Sequence, residues 1–394
     1  MSARYVYLDY AASAPLRAEA LDAWEAYHAR PCAQANPNSL HTLGREAARA
    51  LDGARAGLAR ALGCGFRPSE VAFTSGGTES NNLAVLGMAQ GARRRDRSRN
   101  RVVLSAIEHD SVLDVASLLR ERGFEVELAR PSRSGVVEPD ELVRAMGDHC
   151  ALASVMAANN ETGVVQPTSA LVDAAHAAGA LAHVDAVQAF GRIPLDAVRA
   201  DAISIAAHKI GGPVGVGALA MRTRCPFEAQ SLGGGQEGGR RPGTQDVAGA
   251  VAFAAAARVV TGVLESTRAE VAALAAHVYA RLCAEGTGIV PTTTAVVDGG
   301  RLPGMVSVMV PSMDSETLVL KLDELGFEVS AGSACSSAAL DPSHVLSAMG
   351  IPRDEALGSL RVSFDERVEP SDLDAFCDAL LGIMAGSGRG ARKS

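Results

Sequence analysis

The sequence predicts an α/β protein in which a mostly parallel sheet carries helices on both faces, followed by a second, smaller domain. In the middle of the chain, short apolar runs alternate with helical patterns, as a parallel sheet with crossover helices requires. The 394 residues correspond to two or three domains at about 100–200 residues each. The 40 glycines, against 4% aromatic residues, are typical of strand ends where the backbone closes on a ligand.

Six strands and three helices are predicted in the large domain. The strands are expected at residues 71–74, 102–106, 151–157, 181–184, 202–206 and 217–221. The helices are expected from about residue 79, at 111–122 and at 169–178. Apolar runs of this length, separated by helices, indicate a mostly parallel sheet.

A long helical region leads into the second domain. Residues 245–285 contain no proline, and we expect two helices broken near Thr261 and Gly262 because about forty residues is long for one helix. Further elements are expected as a strand at 305–310, a helix at 315–325, a strand at 327–330, a helix at 343–349, a strand at 359–364 and a helix at 371–384. The predicted division is a large domain at 15–255, a small domain at 1–14 and 256–385, and a disordered tail at 386–394.

Charge and composition indicate a cytoplasmic protein that does not depend on nucleic acid or membrane. The 37 basic and 45 acidic residues leave a net charge of −8, which gives no overall attraction to polyanions. No run of 18 apolar residues is present, and the N-terminus lacks a signal-peptide layout. The arginines between Arg93 and Arg101 favour a solvated turn after a helix end, with binding of an anionic partner such as RNA as the alternative.

The seven cysteines exclude a local zinc or dithiol motif. They lie at positions 32, 64, 150, 225, 283, 335 and 377, and none forms a CxxC pair. An odd number in a cytosolic chain fits buried free thiols and leaves room for one reactive thiol.

Candidate binding residues follow the predicted strands at the edge where open α/β sheets bind ligands. Gly77 and Thr78 lie between a strand and a helix, where glycines, free N–H groups and a hydroxyl favour phosphate binding. Lys209 follows the strand at 202–206 and is a candidate Schiff-base amine. Asp185 ends another strand on the same edge, where its carboxylate suits a pyridine nitrogen.

Two further polar positions complete the pattern. His109 follows the strand at 102–106, where its ring can cover a flat cofactor. Asn160, in Asn-Asn-Glu-Thr-Gly, follows the strand at 151–157 and supplies an amide. Each residue alone also has a structural explanation, as a cap, a turn or a core histidine. Together they predict a pyridoxal phosphate (PLP) site.

Over nearly its whole length, the sequence resembles the cysteine desulfurases of the class V aminotransferase group. The resemblance is carried, in the family's order, by LDYAA (8–12), NPNS (36–39), TSGGTESNN (74–82), EH (108–109), NNETG (159–163), HVDAVQ (183–188), HK (208–209) and GGGQE…RRPGT (233–244). It implies PLP fold type I, with a mostly parallel seven-stranded sheet in the large domain and a smaller α+β domain.

The resemblance also implies roles for the site residues. Lys209 would hold PLP as a Schiff base and act as the base, Asp185 would pair with the pyridine nitrogen, Gln188 would bind the ring hydroxyl, and His109 would stack on the ring. Gly77, Thr78 and His208 would bind the phosphate, and Thr244 would reach the phosphate in the other subunit of a homodimer. Asn160 and Arg361 would bind the substrate carboxylate, for which the planar fork of arginine is suited. No metal is implied.

Cys335 is the implied nucleophile. It stands in Ala-Gly-Ser-Ala-Cys-Ser-Ser, whose small polar residues make a poor core segment and favour an exposed loop. The implied reaction converts L-cysteine to L-alanine, with the sulfur held on Cys335 as a persulfide and passed to an acceptor protein. Iron–sulfur cluster assembly and tRNA thiolation both stay open as the pathway.

Two positions differ from the family's usual pattern. Ala206 stands where the family has serine, so a side-chain hydroxyl that could bind the phosphate is absent. The hydrogen bond lost is worth about 1 kcal/mol. Gly238 stands where the family has arginine, and Arg240 or Arg241 is near enough in sequence to substitute. Neither change affects Lys209.

Three other functions stay open at this stage. A selenocysteine lyase or an aminotransferase would need the PLP residues without a sulfur-accepting cysteine. A non-catalytic scaffold would display PLP and tolerate loss of Lys209. A binding module would use the arginines at 93–101 and show salt-dependent RNA affinity.

Overall fold

The computed structural model describes residues 5–293, 300–311, 313–332 and 342–390. Its strands are β1 (Val6–Tyr7), β2 (Val71–Thr74), β3 (Arg101–Ser105), β4 (Glu125–Ala129), β5 (Cys150–Met156), β6 (Leu181–Asp185), β7 (Ala202–Ala206), β8 (Gly217–Met221), β9 (Val290–Pro291), β10 (Met305–Met309), β11 (Phe327–Glu328), β12 (Ser330–Ala331) and β13 (Ser359–Ser363).

The α-helices lie on both sides of the main sheet and around the smaller one. They are α1 (Ala18–His28), α2 (Thr42–Leu62), α3 (Gly77–Arg95), α4 (Asp110–Leu113), α5 (Val115–Glu121), α6 (Pro139–Met146), α7 (Thr168–Ala177), α8 (Val247–Leu282), α9 (Ser315–Glu324), α10 (His344–Ala348), α11 (Arg353–Ala356) and α12 (Pro370–Gly390).

The main sheet confirms the predicted α/β class. Its seven strands run in the order β2-β8-β7-β6-β5-β3-β4, and all neighbours are parallel except β8, which is antiparallel to both β2 and β7. All six predicted strands are present within a residue of their expected ends. The seven strands are the number that the resemblance implied, but the position of the seventh, β4, was not predicted, because its Glu-Val-Glu-Leu-Ala sequence is mostly exposed at the sheet edge and lacks the apolar run of a central strand.

The helix α8 corrects one prediction, since a single helix of 36 residues replaces the expected pair. Gly262 does not break it, and the Thr261 hydroxyl donates to the carbonyl of Ala257 one turn earlier. By length and composition α8 could span a membrane, but 56% of its most apolar window is buried in the protein, as in the core helix of a soluble protein. Its N-terminal half packs in the core under the main sheet, and its last turns reach a second core.

The second core lies around a four-stranded antiparallel sheet in the order β12-β13-β10-β9. It contains Leu8 together with residues from Val271 onward. Strand β1 pairs in parallel with β11, so the N-terminal segment joins this core across more than 300 positions of sequence. Separate cores of this composition support the predicted division, and we propose domains at 15–255 and at 1–14 with 256–385 on this basis.

The C-terminal helix is longer than predicted. It was expected to end at Met384, before a disordered tail at 386–394, but α12 continues to Gly390. Once a helix has formed, each added residue gains a hydrogen bond, which outweighs the weak propensity of the terminal Gly and Ser residues. Residues 391–394 of the predicted tail lie outside the described part of the chain.

The arginines between 93 and 101 lie between the last turn of α3 and the first residue of β3, close to the predicted turn after a helix end. Arg93 lies in the last turn of α3 with its guanidinium 3.8 Å from the centroid of the Phe124 ring, and it donates to the carbonyl of Arg122. Arg101 forms an ion pair with Glu125 on the neighbouring strand. Basic side chains at a helix C-terminus are favoured by the helix dipole.

Truncating Leu8 should destabilise the small domain. Its side chain is fully buried in the second core, so Leu8→Ala should lower the free energy of unfolding by about 2–5 kcal/mol, measured by urea denaturation. Leu16→Ala is the matched control, because Leu16 is 49% exposed and should cost about 0.5 kcal/mol or less. Equal effects of the two substitutions would contradict a structural role for the N-terminal segment.

Candidate active site

A cavity of about 390 Å³ lies where β5, β6 and β7 end and α3 begins. The sequence-predicted residues that line it are Gly77, Thr78, His109, Asn160, Asp185, Gln188, His208, Lys209 and Arg361. Residues from the main sheet and from β13 of the small domain therefore meet in one place. Thr244 is not among the lining residues, and Cys335 lies outside the described residues.

The N-terminus of α3 forms one wall of the cavity. Gly76 precedes the helix with φ of +155°, a conformation that other residues rarely adopt. A Cβ on Gly77 would lie 2.8 Å from Cγ2 of Val187, so only glycine allows this close approach. Free N–H groups at the start of a 19-residue helix, with the neighbouring Thr78, make a site for a phosphate group.

The carboxylate of Asp185 is buried at the end of β6. Its Oδ2 accepts a hydrogen bond of 2.7 Å from Nδ2 of Asn81, and its Oδ1 accepts one of 2.9 Å from the N–H of Val187. Burial raises the pKa of Asp185, and these two hydrogen bonds oppose the rise. Sequence reasoning assigned no role to Asn81, although it lies four residues after Gly77 and thus on the same face of α3.

Lys209 lies in a 3₁₀ turn, Ala207–Ile210, directly after β7. Its Nζ donates to the backbone carbonyls of Ala11 and Ala12, at 2.7 and 2.8 Å. The N-terminal segment therefore holds the amine at the cavity wall. Burial and the neighbouring Lys209 lower the pKa of His208 to about 4, so His208 is neutral at pH 7.

His109 caps the short helix α4. Its Nδ1 accepts from the N–H of Ser111 at 3.0 Å, so the neutral ring carries its proton on Nε2. The Ser111 hydroxyl lies 2.9 Å from the same nitrogen and accepts from Asn81. These contacts fix the imidazole at the edge of the cavity, next to the residues that hold Asp185.

Arg361 and Asn160 provide unsatisfied polar atoms for a ligand. Arg361 is 2% exposed, forms an ion pair of 2.7 Å with Asp9 and donates to the carbonyl of Asn160 at 2.8 Å. Its Nε and the Oδ1 of Asn160 are both buried without a hydrogen-bond partner. Buried polar atoms normally have partners, so this pair fits a ligand with a carboxylate and a donor group.

Two buried acids beside the cavity, Glu108 and Glu161, were given no role by the sequence analysis, although both belong to the motifs quoted there. Burial and the charge of Asp185 raise the pKa of Glu108 well above its usual range. Its Oε1 accepts from the Ser105 hydroxyl and from the N–H of Met156, both at 2.6 Å. Burial also raises the pKa of Glu161, whose Oε2 accepts from the Ser343 hydroxyl.

The six described cysteines are poor nucleophiles. Burial raises the pKa of Cys64 and Cys150 to about 11 and that of Cys225 to about 12. Cys32 is fully buried, and burial also raises the pKa of Cys283 and Cys377. Because reactive thiols need a lowered pKa and access, Cys335 is the remaining candidate.

The glycine-rich segment at 233–244 is anchored within its own chain. The buried carboxylate of Glu237 forms an ion pair with Arg55 and accepts from the N–H of Phe73. Gly238, in the left-handed conformation at φ of +64°, has open space around it. Thr244 follows this anchored turn and is exposed, which leaves its hydroxyl available to another molecule.

Of the two arginines considered as substitutes for the one absent at Gly238, Arg241 lies nearer the start of α3. Arg241 forms an ion pair of 3.0 Å with Glu79 in the first turn of α3, close to the phosphate-binding end. Arg240 instead donates to the carbonyl of Ser69. Ala206 is buried at the end of β7, and its Cβ is 3.6 Å from the Cβ that a side chain at Gly77 would carry.

These groups fit PLP by their chemistry. The start of α3 suits its phosphate, the Asp185 carboxylate suits its ring nitrogen, and Lys209 provides an amine for its aldehyde. The unpartnered atoms of Arg361 and Asn160 provide for an amino acid substrate beside it.

The fold and the cavity define an enzyme of the PLP type, and comparison with known proteins identifies the family. The family profile Aminotransferase class-V matches residues 6–376. An IscS-like cysteine desulfurase from Mycobacterium tuberculosis is 39% identical over 390 residues, covering 98% of both chains. The chain belongs to the class V aminotransferase family, among its cysteine desulfurases.

Solved structures agree with this assignment. A NifS-like protein has a TM-score of 0.87 at 31% identity, covering 97% of this chain and 99% of that chain. A structure described as SspA in complex with cysteine has a TM-score of 0.76 at 29% identity, covering 91% and 98%. The predicted PLP fold type I architecture is thereby confirmed.

Acid should destabilise the protein partly through His183, which lies two residues before Asp185 on β6. Its ring nitrogens lie 2.8 and 2.9 Å from the hydroxyls of Ser154 and Ser204, and burial lowers its pKa to about 3. Between pH 6.5 and 3 only the unfolded state binds this proton, so His183 contributes stability above pH 6.5 that is lost as the pH falls.

As the pH falls from 6 to 4, the difference in unfolding free energy between wild type and a less stable His183→Gln variant should therefore shrink by up to about 1.4 kcal/mol per pH unit. Urea unfolding at several pH values measures the difference. His28→Gln, at an exposed position, serves as the control. A difference between wild type and His183→Gln that does not change with pH would contradict the buried neutral state.

Proposed function

We propose that this protein is a PLP-dependent cysteine desulfurase that converts L-cysteine to L-alanine and takes the sulfur as a persulfide on Cys335. One observation carries the proposal: a single cavity holds Lys209, Asp185 and Arg361. It combines an amine, a buried carboxylate and a carboxylate-binding guanidinium, which are the groups that an amino acid reaction with PLP needs.

The phosphate of PLP would lie at Gly77, Thr78 and His208, its ring nitrogen at Asp185, and its aldehyde carbon on Lys209. His109 would cover the ring. When bound, PLP supplies an electron sink that stabilises a carbanion on the amino acid. Burial raises the pKa values of the nearby glutamates Glu108 and Glu161, which favours their neutral forms beside this anionic ligand.

The chain's own residues bind the substrate and move its proton. Arg361 and Asn160 bind the carboxylate of L-cysteine and orient its Cα–H bond toward Lys209. The Nζ of Lys209 takes the Cα proton and later delivers one. Residues of both proposed domains line the cavity, and the burial of Asp185 and Arg361 strengthens their electrostatic contacts.

Cys335 would take the sulfur. Its thiolate attacks the substrate sulfur, the substrate Cβ–S bond breaks, the sulfur stays on Cys335 as a persulfide, and Cβ gains a proton to become the methyl group of alanine. The described ends of this segment support the role. Pro342 lines the cavity, and a Cβ on Gly332 would lie 3.6 Å from Oε2 of Glu161. Because Glu161 also lines the cavity, both described ends of the segment that holds Cys335 lie beside it.

We further propose that the persulfide is passed to an acceptor protein in the cytoplasm, for iron–sulfur cluster assembly or tRNA thiolation. The relatives named IscS-like and NifS-like support sulfur transfer as the activity. The structure described as SspA in complex with cysteine supports cysteine as the substrate. A homodimer with shared sites is proposed as well, because the exposed Thr244 follows a rigidly anchored turn.

The test of the proposed activity is Cys335→Ser. This variant should still bind L-cysteine and change the absorption spectrum of bound PLP, because the lysine and carboxylate sites are unchanged. Its rate of alanine and sulfide release should fall by orders of magnitude, because serine is a far weaker nucleophile toward sulfur. Cys283→Ser, a half-buried cysteine at the end of α8, is the control and should keep wild-type turnover. Normal turnover by Cys335→Ser would instead favour a lyase that needs no sulfur-accepting cysteine.

Mixed dimers test the shared site. When a Lys209→Ala chain pairs with a Thr244→Ala chain, sharing puts both changes in one site and leaves the other intact. The heterodimer should then bind one PLP with wild-type affinity and show about half of wild-type activity. If Thr244 serves its own chain, the only site with a lysine would bind PLP about fivefold more weakly, the worth of one hydrogen bond. Sedimentation of an active monomer would also exclude the shared site.

A further inference from the structure

Arg192 lies behind the cavity and connects three segments that form its wall. Its Nη2 donates to the carbonyls of Tyr10 and Lys209, at 3.3 and 3.4 Å, and its Nη1 donates to Oε1 of Gln188 at 3.2 Å. Gly191 directs the chain into this position, because its φ is +75° and a Cβ there would lie 2.6 Å from Cγ2 of Val260. Two of the three described side-chain hydrogen bonds of this arginine are therefore to residues that line the cavity, Gln188 and Lys209.

The amide of Gln188 has only one orientation that satisfies its neighbours. A guanidinium only donates and a backbone carbonyl only accepts, so the side facing Arg192 must be the oxygen and the side facing Ala11 must be the nitrogen. Nε2 of Gln188 donates to the carbonyl of Ala11 at 2.9 Å. Because Gln188 also lines the cavity, the second N–H of this amide is the group left for a ligand.

The charge of Arg192 adds to this arrangement. Its three acceptors are neutral oxygens, and Asp365 and Glu366 act on it only through space. Arg361 is a further cation nearby, and burial lowers the pKa of Arg192 to about 10, so it stays charged at neutral pH. A half-buried cation behind the cavity favours an anionic oxygen over a neutral one in front of it.

We propose that Arg192 is a positioning residue for PLP: by holding Oε1 of Gln188, it turns the amide so that an N–H donates to an anionic oxygen of the cofactor ring. The inference rests on the proposed function, since PLP supplies that oxygen. It assigns to the residue after Gly191 a role that no motif in the sequence indicates. Arg192 acts through Gln188 and does not itself line the cavity.

A double-mutant cycle on PLP affinity tests the connection. PLP is removed, and the dissociation constant of the apoprotein is measured by absorbance titration. Arg192→Met should weaken binding about tenfold, because the amide is free to turn its oxygen toward the anion. Arg192→Lys keeps a charged donor and should recover most of the affinity. In the Gln188→Leu background, Arg192→Met should cost no more than about twofold. Equal costs in both backgrounds would overturn the proposal.

A second variant leaves the arginine in place, so the proposal stays testable if Arg192→Met does not fold. Gln188→Glu can still accept from Arg192 but has no N–H for the ligand, so its apoprotein should be folded by circular dichroism and bind PLP at least tenfold more weakly. Wild-type affinity in Gln188→Glu would overturn the proposal. Arg99→Met is the matched control, because Arg99 donates to the carbonyl of Cys150 at the far end of β5.

The wild-type protein separates this inference from the proposed function. Wild-type apoprotein should bind PLP, and borohydride should fix the cofactor on the peptide that contains Lys209. Absence of binding, or a label on another lysine such as Lys321, would overturn both the proposed function and the role of Arg192. Correct labelling of the wild type with unchanged affinity in the Arg192 and Gln188 variants would overturn the role of Arg192 alone.

Discussion

The N-terminal segment, residues 8–12, is the constraint on which the site depends. Leu8 is buried in the core of the small domain, and its carbonyl accepts from the N–H of Ser363 in β13. Asp9 then pairs with Arg361, and the carbonyls of Ala11 and Ala12 hold the amine of Lys209. Five residues thus connect the apolar core of one domain to the reactive amine of the other. A shift of the small domain would move Arg361 and would disturb the two carbonyls that hold the Lys209 amine, because this segment contacts both residues.

Desolvation sets the electrostatics around that segment. Burial raises the pKa values of Glu108, Asp185 and Glu161 and lowers the pKa of His208. The raised pKa values favour the neutral forms of these carboxyls. Of the three acids, Asp185 has the most support for its charged form, from two hydrogen bonds and from positive groups nearby. This electrostatic setting suits the phosphate and the carboxylate that the proposed function requires.

The fold was largely predictable because its signals are local. A buried parallel strand is a short apolar run, and all six such runs became strands. The errors fall where local and global forces differ. Strand β4 is an exposed edge without an apolar run, and α8 continues past Gly262 because its two halves pack in two different cores. Helix propensity alone favoured a break there, but α8 is buried in a core on each side of residues 261–270, which themselves include no buried residue, and the helix continues across them.

The sequence by itself determined the chemistry of the site. A lysine, an aspartate and a helix that begins with glycine each follow a predicted strand, and these residue types can be read directly from the chain. Only the tertiary structure decided which groups support them. Asn81 reaches Asp185 across 104 positions, and Arg361 reaches Asp9 across 352. The anchoring of Glu237 by Arg55 and the contact of Arg192 with Lys209 are equally invisible in sequence. Periodicity and turn chemistry act over a few residues, whereas these contacts arise when packing brings distant segments together, and no local pattern records that event.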